Sequence, residues 1–466
     1  MTKPRPPAHR PPKHQSRTHR PRRHQPRAQG APGIDARRAA ATLLAAVLRN
    51  GQRLDDALAA EHAATGTLAP LAPRDRGFAR TIATTALRRH GQISDILTRF
   101  LDKPLPRKAG IAPYVLRGAL AELLFLDSAA HATVSANVAL AKSDTHARHF
   151  AGLINAVLRR AARDGAALRD GQDPYTLNTP PWLLHSWRDA YGAEATAAIA
   201  AAHLKEAPLD LTVAGDAPGW AQRLGGALLP TGSVRLTQAG RVEALPGFAA
   251  GAWWVQDAAA ALPVRLFGDV AGKHVIDLCA APVGKTLQLA AAGARVTAID
   301  RSAKRLEQLR DNLTRTQLTA DLITADATAW APAGDAAPAD LLLLDAPCSA
   351  TGTLRRHPDI ALLKAHSDIA KMVHLQAELL ANAARLCPSG GTLVYCTCAL
   401  QPEEGEHHIE RFLAANPAFS RKPITAADLP GLDAAITAAG DMRTLPSFWA
   451  HQGGMDGFFA ARLVRA

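Results

Sequence analysis

Between Ile34 and about Gly165, apolar residues recur every three or four positions. Ala39, Leu43, Leu44, Val47 and Leu48 make one stripe, and Phe78, Ile82 and Leu87 make another. Ile93, Ile96, Leu97, Phe100 and Leu101 follow, before Pro104 and Pro106 interrupt the pattern. Val115, Leu116, Leu120, Leu123, Leu124 and Leu126 form a strongly apolar stripe, and Phe150, Leu153, Ile154, Val157 and Leu158 form the last. This is the period of amphipathic helices and predicts an all-α bundle. Over residues 166–260 the pattern changes. Trp182, Leu183, Leu184, Trp187 and Tyr191 predict a helix on a Pro-Pro start, and Ala193 to Leu204 another. Leu209 to Val213 alternates as a strand does, and short strands lead on to Trp253, Trp254 and Val255. A small α+β connector is expected, with its aromatics in the core.

From Gly272 onward the apolar runs become continuous and of strand length. They are His274 to Leu278, Ala294 to Ile299, Ala320 to Thr324, Leu341 to Leu344 and Gly391 to Tyr395. Such runs indicate strands buried on both faces, as in a parallel sheet. Helical patterns lie between them, opening at Leu287 and covering Ala303 to Thr316 and Ser367 to Leu386. Gly454 to Val464 is expected at an antiparallel edge. The fold class is therefore multidomain. Residues 1–33 form a basic tail, 34–165 an all-α bundle, 166–260 an α+β connector and 261–466 an α/β Rossmann-like domain.

Charge changes this picture at one end only. The chain has 466 residues and a net charge of +13. Residues 1–33 hold nine Lys or Arg and no acid, so only four of the thirteen net charges belong to the rest. The tail is rich in Pro, His and Arg without a hydrophobic period, and disorder is expected. Sequence-independent attraction to phosphates and plain solubilisation are both open for it. Arg37, Arg38, Arg74, Arg76, Arg88 and Arg89 read mostly as solvated surface. No apolar run is long enough for a membrane span, and the secretory pattern is missing. Five cysteines in a chain this long make no disulfide framework, so reduced thiols in a cytoplasmic setting are expected.

Candidate chemistry collects where the predicted strands end, the edge at which open α/β sheets bind ligands. After the first strand, Cys279-Ala280-Ala281-Pro282-Val283-Gly284-Lys285-Thr286 is a small-residue turn into a helix. Free N–H groups and the helix dipole suit a nucleotide there, although neither the Walker nor the Gly-x-Gly-x-x-Gly pattern is present. A simple turn is the alternative. Asp300, Asp326 and Asp345 end the next three strands. An acid ending the second strand suits ribose hydroxyls, and one ending the third suits an exocyclic amine. Capping is the bland reading of each acid alone. Cys348 and Cys398 follow two of the strands. Two thiols and a carboxylate beside a cofactor pocket suit covalent chemistry on a weakly electrophilic ring. Cys396 is expected in the core, and Cys279 and Cys387 are structural. A metal site on Cys396 and Cys398 lacks a second ligand pair. The loop Arg355-Arg356-His357-Pro358-Asp359-Ile360 is basic and suits phosphates. Pro402-Glu403-Glu404 is expected to start a helix, its acids capping and orienting.

Together these stretches resemble the RNA cytosine-C5 methyltransferases. The likeness is carried by Asp277 to Thr286, Asp345 to Gly352, Arg355 to Ile360, Thr397-Cys398 and Asp456-Gly457-Phe458-Phe459, with Leu245 to Phe248 and Val255 to Asp257 in the connector. Leu153 to Arg160 is similar to the NusB-type RNA-binding domain of such enzymes. The resemblance implies S-adenosylmethionine as methyl donor and a cytosine of 16S ribosomal RNA as acceptor. The base must be reached unstacked, which implies RNA not yet fully assembled. It implies a cytoplasmic monomer with no membrane partner. Cytosine C5 is a poor nucleophile until a thiolate adds at C6. Free cysteine, with a pKa of about 8.5, is only a few per cent thiolate at neutral pH, so the site must activate it. By the resemblance Cys398 is the nucleophile and Cys348 assists product release. Asp345 holds the ring edge near N3, and Lys285 orients donor or base. Cys279, Ala280, Ala281, Pro282, Val283, Gly284, Lys285, Asp300, Asp326 and Asp345 bind the donor. The residues alone do not choose between the thiols, because the DNA enzymes place the nucleophile in the Pro-Cys motif, here Cys348. Val283 stands where the family has glycine, and altered donor affinity is expected. Methylation of another RNA, and a non-catalytic RNA-binding protein on this fold, are the alternatives. Donor binding separates the last from an enzyme.

Overall fold

The computed structural model describes residues 1–2, 33–237, 240–281, 284–334 and 339–466; most of the basic tail lies outside them. The first helices are Ile34–Leu48, Leu54–His62, Pro73–Arg88, His90–Phe100, Ala112–Phe125, Ala130–Ser143 and Ala151–Asp170. Their apolar stripes meet in one core that includes Leu43, Leu44, Ile82, Leu116, Leu120, Ile154 and Leu158. The last helix runs on past Gly165, where its apolar period fades. Some arginines read as surface belong to the structure. Arg37 grips the fully buried Glu122 through Nε at 3.0 Å, and Asn137 Nδ2 donates to the same carboxylate at 3.1 Å. Arg88 and Arg89 donate to the backbone oxygens of Arg355 and Leu204.

The connector has a helix Pro181–His203 kinked at Gly192, where φ is 81°. A four-stranded antiparallel sheet follows: β1 (Leu209–Val213), β2 (Ala227–Leu228), β3 (Val234–Leu236) and β4 (Trp253–Val255), in the order β2-β3-β1-β4. Trp187, Trp253 and Trp254 are buried, as expected of core aromatics.

The third part is an eight-stranded sheet. Its strands are β5 (His274–Leu278), β6 (Arg295–Asp300), β7 (Asp321–Thr324), β8 (Leu341–Asp345), β9 (Thr392–Thr397), β10 (Phe419–Arg421), β11 (Met442–Thr444) and β12 (Phe458–Arg465). The order is β10-β12-β9-β8-β5-β6-β7, with β11 also paired to β12. Strands β5 to β9 are parallel, and β12 is antiparallel to β9. The apolar runs divide by parity. Val275, Leu341, Leu343 and Val394 face one side, with Leu306, Leu309 and Leu313 of helix Ala303–Thr316. Ile276, Leu342, Leu344 and Leu393 face the other, with Leu379, Leu380 and Ala383 of helix His366–Leu386. Both faces are thus covered, which is why these strands carry no polar alternation. The chain moves outward through β5, β6 and β7, then returns to place β8 against β5. That reversal opens the crevice where doubly wound sheets hold ligands.

Two expectations need correction here. Strand β12 is not the sheet edge, because β10 and β11 pair along it on the side away from β9. Those strands span three residues each, too short to leave a hydrophobic signature. Pro402–Glu404 is a single 3₁₀ turn, and the helix begins only at Glu406.

The helical bundle and the sheet meet at the segment after Cys348. Leu54 N donates to Asp359 Oδ2 at 3.0 Å, and His357 Nδ1 lies 3.2 Å from Asp55 Oδ2. Leu362 and Leu363 pack against the helical core. Among the described residues, no helix is long and apolar enough to cross a membrane.

Candidate active site

Each cysteine motif sits where a buried strand runs out. Strands β8 and β9 are neighbours, with Asp345 paired to Cys396 in register. The loops beyond them therefore leave the sheet side by side, and Cys348 Sγ and Cys398 Sγ stand 3.4 Å apart. Both are partly exposed free thiols. The Cys348 thiol is raised well above its ordinary value by its hydrogen bond with Cys398, then by burial, so Cys348 keeps its own proton.

Lys285 enters from the other side of the reversal, on the first turn after β5. Its Nζ donates to Asp345 Oδ2 at 2.8 Å and lies 4.8 Å from the centre of the Phe458 ring. Burial alone would favour the neutral amine, but the Asp345 carboxylate above all outweighs it and holds the ammonium charged. The fourth predicted group, Asp345, keeps a third of its side chain exposed. So Cys398, Cys348, Asp345 and Lys285 converge on one crevice from three strand ends.

Cys396 differs from expectation in one respect. It is fully buried, but its Sγ donates to Asp345 Oδ1 at 3.4 Å. Alternation along β9 puts it on the same face as Cys398, the signal that could have linked it to the site. Burial first, then Asp345, keeps this thiol protonated.

The turn after β5 lies next to these groups. Cys279 is left-handed, with φ of 63°, a strained setting for a residue with a Cβ. Ala280 N donates to Ile299 O at 3.0 Å, and Ala281 N to Asp300 Oδ2 at 3.2 Å, so the turn leans on the end of β6. Gly284 has φ of 109° and lies against the Gln256 side chain. Pro282 and Val283 lie outside the described residues. Burial, then Asp300, Asp345 and Asp277, pushes the Cys279 thiol up to about 12, which suits a structural thiol. Asp277 is wholly buried. Its Oδ2 accepts from Thr286 Oγ1 at 2.6 Å, and its Oδ1 has no partner. Burial pushes this acid up to about 7 although Thr286 acts against the shift. Asp300 also accepts from Ser302 N at 2.9 Å. Asp326 lies past β7 and caps its own turn, accepting from Thr328 N at 2.9 Å.

The basic loop is not a free phosphate surface. Arg355 is buried, with Nη2 at 3.4 Å from Asp257 and 3.2 Å from Asp456. Arg356 contacts the same two acids at 2.5 and 3.3 Å. Asp210 and Arg235 extend this cluster from the connector, with a bidentate pair at 2.6 Å. Burial opposes the charge on Asp257, but Arg356 and Arg355 overcome it and hold the acid well below the usual carboxylate range. These arginines brace the loop, and protein acids meet their charges, although the Nε of each is buried without a hydrogen-bond partner.

Two glycines complete the frame. Gly352 N donates to Cys398 O at 2.9 Å, and Gly457 N donates to Gly352 O at 2.8 Å. A Cβ on Gly352 would overlap the carbonyl of Gly457, so the β9 and β12 ends close over a position that must lack a side chain. Among the described residues, no group of three His, Cys, Asp or Glu is arranged to hold a metal.

Residues 266–464 match the family described as 16S rRNA methyltransferase RsmB/F, and residues 34–163 match the NusB family. The chain is 36% identical over 450 residues to ribosomal RNA small subunit methyltransferase B of Pseudomonas putida, covering 93% of this chain and 99% of that one. It is 35% identical over 402 residues to the protein of that name from Vibrio cholerae, covering 82% and 90%. The crystal structure of PH0851 superposes with a TM-score of 0.72 at 23% identity, over 94% of this chain and 99% of that one, and supports the fold. A doubly wound sheet, paired thiols at two neighbouring strand ends and near-complete coverage of these relatives agree: the chain belongs to the 16S rRNA methyltransferase RsmB/F family.

Proposed function

We propose that the protein methylates C5 of one cytosine in 16S ribosomal RNA, using S-adenosylmethionine and a transient bond between Cys398 Sγ and C6. The observation that carries this reading is the pair of thiols 3.4 Å apart beside the Lys285–Asp345 ion pair. Cys398 adds to C6, and the ring electrons move toward C5. Asp345, partly exposed at the β8 end, holds the N3 edge of the ring, its carboxylate accepting from the neighbouring exocyclic amine. Lys285 fixes Asp345 and places a positive charge beside the reacting thiols. Once C5 carries the methyl group, loss of the C5 proton to water and of the Cys398 sulfur as thiolate restores the aromatic ring. Cys348, which keeps its own proton, assists this release.

The donor, when bound, supplies an electrophilic methyl on a sulfonium. The residues present fit such a group. Acids end or closely follow β6, β7 and β8, on either side of β5, and Cys279 and Gly284 both take positive φ. Asp277 Oδ1 is buried beneath this turn without a partner. Asp300 is the ribose ligand in this reading and Asp326 the adenine ligand. The helical unit at 34–165 binds RNA, the connector at 166–260 braces the loop after Cys348, and residues 261–466 carry the chemistry. The protein acts as a cytoplasmic monomer on ribosomal RNA not yet assembled.

The test is transfer of a tritiated methyl group to unmodified 16S ribosomal RNA, with transfer RNA in parallel. Label in 5-methylcytosine of the ribosomal RNA, lost in Cys398→Ala, is the expected result. Label lost in Cys348→Ala but kept in Cys398→Ala would reverse the thiol assignment. Label in transfer RNA alone would overturn the substrate.

A further inference from the structure

Glu404 is a wholly buried acid outside the group of residues that face the crevice. Its carboxylate accepts from Ser349 N at 2.9 Å, from Ser349 Oγ at 2.5 Å and from Gln376 Nε2 at 3.0 Å. Gln376 Nε2 also donates to Pro347 O at 2.9 Å. Both neighbours of Cys348 in the chain are thus gripped by one buried network. The backbone oxygen of Glu404 serves the other loop. It accepts from Tyr395 OH at 2.9 Å and lies 3.4 Å from Thr397 Oγ1, the residue before Cys398.

We propose that Glu404 is a positioning residue that sets the distance between the two thiols, holding the Cys348 loop by its side chain and the Cys398 strand by its backbone. This rests on the reading of Cys398 as nucleophile and Cys348 as the releasing thiol. The 3.4 Å separation has no covalent restraint, because both thiols are free. Only the loops hold it. Removing the carboxylate leaves Ser349 N and one of the two N–H groups of Gln376 Nε2 without an acceptor in a buried place, where such groups do not remain unpaired. The loop then moves to find partners, and Cys348 moves with it. Burial pushes the Glu404 acid upward, and the hydrogen bonds from Ser349 and Gln376 pull it the other way. Glutamine keeps an acceptor for Ser349 N and Gln376, and its amide can donate to Ser349 Oγ.

The experiment follows methyl transfer and the denaturation-resistant protein–RNA adduct together, in full-length wild type, Cys348→Ala, Glu404→Ala, Glu404→Gln and Ser349→Ala. Adduct in Cys348→Ala establishes the underlying reading, and its absence there defeats that reading whatever Glu404 does. Given that adduct, Glu404→Ala should also accumulate it. Its kcat should fall about ten- to hundredfold, the loss expected of a displaced reacting group, with KM for RNA held within about twofold. Glu404→Gln should recover most of the rate. A wild-type kcat without adduct in Glu404→Ala would overturn the proposal, and so would an equal loss in Glu404→Gln. If Glu404→Ala does not fold, as judged by donor binding and its thermal transition, Ser349→Ala decides. Slowed release supports the proposal, and wild-type turnover rejects it.

Discussion

Two polar clusters lie at the carboxyl side of the large sheet, and they are built to opposite rules. Around Arg355, Arg356, Asp257 and Asp456, each charge is buried and met by an opposite one. Around Cys398, Cys348, Asp345 and Lys285 the ammonium is buried but the other groups are partly exposed, with a 3.4 Å contact between sulfurs and a carboxylate a third open to solvent. The first cluster has no unpaired charge left to offer a substrate. The second keeps unused valence at the point where the sheet order reverses. Saturation, rather than charge or position, separates the brace from the reactive site.

The sharpest way to break this contrast is Cys398→Ala. Methyl transfer should fall by about 10⁴-fold or more, as for loss of a nucleophile, while the denaturant midpoint stays near wild type. A stability loss as large as the activity loss would erase the distinction. The opposite change is Asp257→Asn, which leaves Arg355 and Arg356 buried beside one acid instead of two. A stability loss of about 3–5 kcal/mol is expected in guanidinium unfolding. Acid should mimic it. Asp257 is held down in the fold, so its contribution is present above about pH 3.9 and is lost as pH falls through the depressed value.

Lys285→Met tests the borderline member, a buried ammonium paired with an accessible acid. A rate loss of about 10²-fold is expected, with donor binding within a few-fold. An unchanged rate would move Lys285 into the bracing class. The smallest effect concerns the seam with the helical bundle. Burial opposes protonation of His357, but Asp55, with Asp456 and Asp359 behind it, raises it above the ordinary imidazole value. The contribution of this pair is therefore complete below about pH 6.5 and lost as pH rises through the raised value. With His357 a third exposed and Asp55 about half exposed, solvent screens the pair and about 1 kcal/mol or less is at stake. His357→Gln should flatten that slope in thermal unfolding measured against pH.

The reactive cluster was largely legible in the chain, because parallel strands announce themselves as apolar runs and ligands gather where they stop. Asp345, Cys348 and Cys398 each follow such a run directly. The brace was not legible. Arg355 meets Asp257 and Asp456 across about a hundred residues on either side, and an unpaired reading made its loop look like a phosphate surface. Glu404 was recognised as orienting, but its partners Ser349 and Gln376 lie 55 and 28 residues away in sequence. Cys396 was assigned to the core, where it is; its contact with Asp345 depends on the register of β8 against β9, which no local pattern encodes.

The close approach at Gly352 has a consequence for genetics. Most damage to a packed interior can be relieved by a second change nearby, since a neighbouring side chain can shrink or grow to suit. At Gly352 the obstacle to any side chain is the backbone carbonyl of Gly457. Exchange of neighbouring residues cannot shorten a peptide group. A selection for intragenic revertants of Gly352→Ala should therefore return true reversions to glycine, whereas one begun from a truncated core leucine such as Leu343 should return changes scattered around the lesion.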